Sequence, residues 1–284
     1  MKKLLVLSGK GGTGKTTIAS SFIKLAKSQN FADCDVEAPN LHLVYKQGTF
    51  NSKPYYGLKI AKINQEKCLN CGICQDNCRF NAIDFNGLEY KINPYKCEGC
   101  GVCGFVCPQG AINYIDSVSG SIDLYQDNYL FSTGSLKMGS GNSGLLVTEV
   151  KKQLDKAYKE ITVIDGPPGI GCPVIASMSG VDFVLLVTEP SFSGFSDLKR
   201  IIETVEKFKL DFGVCINKYD INIEVSNKIK SYLKANNYSF LGDISYSEKV
   251  NEIINNRKLV VDSNTIVGKE IKDIYINTMK LLNW

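Results

Sequence analysis

Gly9-Lys10-Gly11-Gly12-Thr13-Gly14-Lys15-Thr16 matches G-x-x-x-x-G-K-[ST] at every fixed position. A short apolar run, residues 3–8, precedes it. A helical pattern of Ile18, Phe22, Ile23, Leu25 and Ala26 follows. Strand, glycine-rich loop and helix in that order make a phosphate loop. The glycines let successive N–H groups converge on phosphate oxygens, and the helix N-terminus adds its dipole. Lys15 is then placed for the β- and γ-phosphates and the Thr16 hydroxyl for Mg2+. Gly9, Gly11, Gly12, Thr13, Gly14 and Thr17 complete the expected cradle.

Outward from this loop, strands and helices alternate. Residues 31–34 read as a brief strand, 143–159 as a helix, 161–164 as a buried strand ending at Asp165, and Phe183–Thr188 as another. A helix to Lys207, a strand over 212–216, a helix over 224–235 and a strand over Ser239–Ile244 follow. Such alternation implies right-handed crossovers and a mostly parallel sheet, an α/β fold.

Cysteines interrupt the pattern. Eight of the eleven fall between Cys68 and Cys107, and the chain has one histidine, His42. Residues 63–84 align without gaps on 92–113, with ten of 22 positions identical. Each half carries C-x2-C-x2-C-x3-C: Cys68, Cys71, Cys74, Cys78, then Cys97, Cys100, Cys103, Cys107. That is the bacterial two-cluster run, in which the fourth cysteine of each half ligates the other half's cluster. One [4Fe–4S] cluster would take Cys68, Cys71, Cys74 and Cys107, and the second Cys97, Cys100, Cys103 and Cys78. Gly72, Gly99 and Gly101 keep side chains off the sulfurs. Zinc sites use paired C-x2-C elements with longer spacers and fit poorly. The expected organisation is a split α/β domain, 1–58 and 116–284, with a ferredoxin-like domain, 59–115, inserted after the second strand.

The early lysine in KGGTGKT resembles the deviant Walker A motif of the MinD/ParA/Mrp class of P-loop ATPases, which includes nitrogenase iron protein. The resemblance implies a homodimer with ATP sandwiched between subunits and Lys10 on the partner's nucleotide. It implies that Asp35, in DCDVEAPNL (33–41), orients the attacking water. Asp165 would hold Mg2+ through a water, and Gly169, in DGPPG (165–169), would approach the γ-phosphate. Asn217 and Lys218, in NKYD (217–220), resemble a base-contact loop. That loop does not by itself separate ATP from GTP, and the class favours ATP. The segment before Asp33 is short for the class, so the second strand is expected to be truncated.

Composition narrows the reading. At 44% hydrophobic and 22% charged, the 284-residue chain is not a disordered one. It has no run of five basic residues at a net charge of +4, so no nucleic-acid partner is expected. The opening apolar run is too short for a signal peptide, so the expected location is cytoplasmic. The stripe of Val267, Ile271, Ile274, Leu281 and Leu282 reads as a helix packed on the sheet, with no stable membrane association. Cys34, Cys172 and Cys215 read as small buried residues. The leading function is ATP hydrolysis with Mg2+, coupled to electron transfer through two [4Fe–4S] clusters and a redox protein partner. The alternative is an ATP-dependent carrier or scaffold for iron–sulfur or metallocofactor assembly. An amidoligase lacks its amidotransferase domain here, and a partitioning ATPase lacks a basic patch.

Overall fold

The apolar run Lys3–Ser8 forms β1 in the middle of a nine-stranded sheet. The computed structural model describes residues 2–45, 48–154 and 161–283. After β1 come α1 (Lys15–Leu25), β2 (Asn30–Asp33) and β3 (Thr49–Tyr56). An insert follows: β4 (Ile60–Ile63), α2 (Ile73–Asp76), β5 (Ile83–Phe85), β6 (Tyr90–Ile92), α3 (Val102–Val106) and β7 (Ile112–Ile115). The chain returns through β8 (Val118–Gln126), β9 (Leu130–Leu136), α4 (Ser143–Lys152), β10 (Thr162–Pro168) and α5 (Cys172–Met178). It ends with β11 (Phe183–Thr188), α6 (Phe192–Lys207), β12 (Asp211–Asn217), α7 (Ile223–Ala235), β13 (Ser239–Ile244), α8 (Glu248–Asn255) and α9 (Ile266–Leu281).

The strand order is β13-β12-β11-β1-β10-β2-β9-β8-β3, parallel from β13 to β9 and antiparallel at β9-β8-β3. Side chains alternate along β1. Leu4 and Val6 join Phe22 of α1 and Ile271 of α9 on one face. Leu5 and Leu7 join Leu146 of α4, Leu198 of α6 and Ile229 of α7 on the other. Burial of each such side chain contributes about 1.5–3 kcal/mol. The chain leaves β1 for β2 on one side and later fills β11 on the other. The loops after β1 and β10 therefore lie at a topological switch point, where open α/β sheets bind ligands.

The second strand is short, as expected, at four residues. It is fully buried, and Asp33 stands in register with Asp165 on one side and Thr133 on the other. A third strand, absent from the sequence reading, precedes the insert. The insert follows β3: β3 and β8 are an antiparallel pair at the sheet edge, and residues 57–117 project from them. β3 is exposed at every position but Tyr55 and has no alternation of apolar and polar residues that would announce a strand. The helix read over 143–159 is described over Ser143–Lys152, and residues 155–160 lie outside the described residues. In α9, Val267, Ile271 and Ile274 are buried as expected, as is Leu282, while Leu281 is exposed. No helix among the described residues is long and apolar enough to cross a membrane.

The insert has internal two-fold likeness. β4 pairs with β7 and β5 with β6, both antiparallel. The Asn64 N–H donates to the Ala111 carbonyl, and the Asn93 N–H to the Ala82 carbonyl, each at 2.7 Å. Positive φ recurs at the 29-residue spacing: Asn70 and Gly99, Gly72 and Gly101, Asn81 and Gly110. The duplication is thus conformational as well as sequential.

Candidate functional site

The phosphate loop connects β1 to α1. Gly12 (φ 79°) and Gly14 (φ 87°) hold left-handed conformations that favour glycine. At Gly9 a Cβ would lie 2.6 Å from the Cβ of Asp197, so α6 fixes that glycine by close approach. A cavity of about 310 Å3 opens over the loop, lined by residues 11–17, Asp35, Asn217 and Lys218. Gly9, Lys10, Asp165 and Gly169 lie outside its lining. Gly169 (φ 93°) lines an adjoining cavity that shares Asp35 and Pro168 with the first.

Lys15 is buried, and its Nζ lies 3.0 Å from Asp165 Oδ1 and 3.8 Å from Asp35 Oδ2. Burial opposes its charge, but Asp165, Asp35 and Asp33 outweigh it, and the ammonium is held above its ordinary pKa. Asp165 Oδ2 is buried with no hydrogen-bond partner. An orphaned carboxylate oxygen beside a phosphate loop suits a divalent cation, so the residues present fit Mg2+. Asp33 is also fully buried. Its Oδ1 accepts from the Asp35 N–H, and its Oδ2 from the Asn40 and Leu41 N–H groups, at 2.9–3.0 Å. Burial, then the charge of Asp165, raises its pKa to about 7. Asp33 thus shapes the loop that presents Asp35, whose own carboxyl is raised by burial.

Lys10 points away from its own chain's cavity. Its Nζ lies 2.5 Å from Glu189 Oε1, and it donates to Ser191 Oγ at 3.0 Å and Ser193 Oγ at 3.3 Å. Glu189 follows β11 and was not legible as a partner, being far off in sequence.

Asn217 Nδ2 donates to the Thr13 carbonyl at 2.8 Å, and its Oδ1 accepts from the Lys218 N–H. Asn217 therefore ties the NKYD loop to the phosphate loop. Asp220 Oδ1 accepts from the Tyr246 N–H at 2.7 Å. Glu270 of α9 accepts from the Ser245 N–H at 2.8 Å and from its hydroxyl. Residues 245–247 line the cavity between these two carboxylates. Sequence reasoning missed this loop, although it follows β13 at the ligand-binding edge of the sheet.

In the insert, one cavity is lined by Cys68, Cys71, Cys74 and Cys107, and a second by Cys97, Cys100, Cys103 and Cys78. These are the two crossed sets read from the spacing. The Ala82 N–H donates to Cys78 Sγ at 3.4 Å and the Ala111 N–H to Cys107 Sγ at 3.3 Å. Cys71 and Cys100 are exposed and the other six half-buried. No group of three or more His, Cys, Asp or Glu among the described residues is gathered for one metal ion. Ligands of a four-iron cubane sit at the corners of a larger tetrahedron than ligands of one ion. Four thiols around each of two cavities fit that group by donor set and number.

Of the remaining cysteines, Cys34 and Cys215 are buried, as expected, and burial raises both thiols. Cys172 departs from expectation: it is exposed, because it opens α5 on the rim beside Gly171.

Comparison with known proteins is consistent with the nucleotide end. The model of the CobQ/CobB/MinD/ParA nucleotide binding domain matches residues 4–260. An uncharacterized Methanocaldococcus jannaschii protein, MJ0578, is 36% identical over 276 residues, 96% of this chain and 95% of its own. A second from that organism, MJ0579, is 32% identical over 78% of this chain and 82% of its own. Among solved structures, the Pyrococcus horikoshii septum site-determining protein MinD complexed with Mg-ADP superposes with a TM-score of 0.60 at 17% identity, covering 99% of this chain and 97% of that one.

Proposed function

Since the chain belongs to the CobQ/CobB/MinD/ParA nucleotide-binding family of P-loop ATPases, we propose that it hydrolyses Mg-ATP as a homodimer and couples hydrolysis to electron transfer through two [4Fe–4S] clusters in its insert. The observation that carries the redox half is the crossed convergence of Cys68, Cys71, Cys74 and Cys107, and of Cys97, Cys100, Cys103 and Cys78, on two cavities. When bound, the clusters supply one-electron carriers.

This chain's residues do the rest. The N–H groups of residues 11–16 bind phosphate, and Lys15 neutralises charge developing on the transferred phosphoryl. Thr16 and Asp165 would hold Mg2+, which would offset the charge of the phosphates, and the unpartnered Asp165 Oδ2 supports that role. Asp35, aimed by Asp33, orients the attacking water. Lys10 exchanges Glu189 for the nucleotide of the facing subunit as the dimer closes. Gly169 and the segment after Asp35 reorder on the γ-phosphate. Asn217 and residues 245–247 hold the base. The second reading, an ATP-dependent carrier for iron–sulfur or metallocofactor assembly, is favoured by the exposure of Cys71 and Cys100, since transfer needs access.

The test is anaerobic purification, iron and sulfide analysis, and reductive titration followed by EPR, with and without Mg-ATP. About eight irons per chain are expected from two cubanes. A potential shift of about 60 mV, a tenfold change in a one-electron equilibrium, is expected with ATP and absent in Lys15→Ala. A chain without iron overturns the redox half. Potentials indifferent to ATP put the carrier reading ahead.

A further inference from the structure

The two halves of the insert are alike in backbone but differ in what covers them. Leu69 lies between Cys68 and Cys71 and is 65% exposed. Its neighbour Asn70 donates to the Leu88 carbonyl, within the insert. The position equivalent to Leu69 in the second half is Glu98, between Cys97 and Cys100. Glu98 is half-buried, and it packs on the segment that joins β9 to α4. At Gly141 a Cβ would lie 2.9 Å from Glu98 Cδ, so the carboxylate sits directly over that glycine. A cavity of about 290 Å3 is shared by Cys97, Glu98 and residues 137–142.

Segment 136–144 also touches both parts of the nucleotide site that respond to a γ-phosphate. At its start, the Leu136 N–H donates to the Val36 carbonyl at 2.8 Å, one residue after Asp35. At its end, a Cβ on Gly144 would lie 3.2 Å from the Cys172 carbonyl oxygen, directly after Gly169-Ile170-Gly171. One short segment thus spans from the loops flanking Asp35 and Gly169 to the ligand loop of one cysteine set. No glycine contact or hydrogen bond of this kind joins it to Leu69 among the described residues.

We propose that Glu98 is a positioning residue that couples nucleotide state to the Cys97 loop through segment 136–144, so that the Cys97–Cys100–Cys103–Cys78 set responds to ATP while the Cys68–Cys71–Cys74–Cys107 set does not. The inference rests on the reading of the insert as a two-cluster carrier. Movement of the loop after Asp35 or of the loop at Gly169 displaces 136–144 at its ends, and Gly141 passes that displacement to Glu98. The coupling is carried by two discrete arrangements of packed backbone, and its size is set by how differently Glu98 packs in each.

The test is hydrogen exchange on the iron-loaded protein, with and without a nonhydrolysable ATP analogue and Mg2+. Several-fold slower exchange is expected in peptides covering 136–144 and 95–101, with peptides covering 66–72 unchanged. Glu98→Leu installs the first half's residue. It is expected to abolish the response of 95–101, leave that of 136–144, and leave basal ATP turnover unchanged. Glu98→Gln keeps the shape and is expected to retain most of the response. In EPR titration, one cluster's potential moves with the analogue in the wild type and neither moves in Glu98→Leu. Equal responses in the two ligand loops, no response in 95–101, or a response that survives Glu98→Leu each overturns the proposal. The wild-type comparison of the two loops stands even if Glu98→Leu does not fold. A chain that binds no iron instead overturns the parent reading, which iron analysis detects first.

Discussion

At the nucleotide end, Lys15 is 6% exposed and already paired with Asp165, and the loops around it hang from strands buried on both faces. In the insert, eight cysteines line two cavities beside strands of three or four residues, and the buried apolar side chains are Ala61, Ile63, Ala82, Ile83 and Ala111. One site balances its charges before any ligand arrives. The other has too little apolar surface to hold its loops in place by packing, three of its five core residues being alanine. A segment of this size needs a staple, and a metal group held by its eight cysteines would supply folding free energy. The nucleotide site is therefore preformed, whereas the cysteine loops are the part of the chain that a bound group would order most.

The largest effect follows from that contrast. Removing iron with a chelator under reducing conditions is expected to bring the amides of β4–β7 to exchange rates near those of free peptide. The amides of β1, β10 and β11 should stay protected, which exchange mass spectrometry reads directly. Persistent protection of β4–β7 without iron would break the comparison.

Next in size is Lys15→Ala. It leaves Asp165 buried without its cation, and breaking a buried pair of this kind costs about 3–5 kcal/mol. A drop in Tm together with loss of Mg-ATP turnover is expected. Melting at the wild-type temperature would show that the carboxylates do not depend on Lys15.

A subtler effect concerns Asp33, whose pKa is raised from the ordinary 3.8 to about 7 by burial and then by Asp165. An acid with a raised folded pKa binds its proton earlier in the fold than in the unfolded chain. Its contribution to stability is present below pH 3.8 and is lost as pH rises through 7. In nucleotide-free protein, the Tm difference between wild type and Asp33→Asn should therefore fall between pH 5 and pH 8. A difference that stays flat would mean Asp33 holds one charge state across that range.

Legibility in the sequence divides along the same lines. The phosphate loop and the cysteine runs were readable because their chemistry lies in consecutive residues. The spacing groups Cys78 with the Cys97 set and Cys107 with the Cys68 set, and each lines the cavity of that set. The strand before the insert was not readable, because β3 (TFNSKPYY) is an exposed edge strand whose pairing with β8 supplies the order that its own pattern lacks. Lys10 with Glu189, and residues 245–247 with Asp220 and Glu270, were hidden for another reason. Each is made by the sheet bringing together loops remote in sequence, and a single chain read in order carries no signal of it.

The smallest effect tests whether the preformed character extends to the base. Glu270 reaches from α9 to the Ser245 N–H and hydroxyl, charge-assisted bonds that set one side of the cavity. Glu270→Gln keeps the length and the carbonyl acceptor but removes the charge. The amide oxygen can still take the Ser245 N–H, and the amide nitrogen can donate to the hydroxyl, so no buried group is orphaned. What is lost is the difference between a charge-assisted and a neutral hydrogen bond, about 1 kcal/mol. Because the base does not change between ground and transition states, that loss falls on uniform binding. KM for ATP should rise about fivefold with kcat unchanged. An equal fall in kcat would instead place Glu270 in the closing motion itself, and the nucleotide end would then be less preformed than its buried charges indicate.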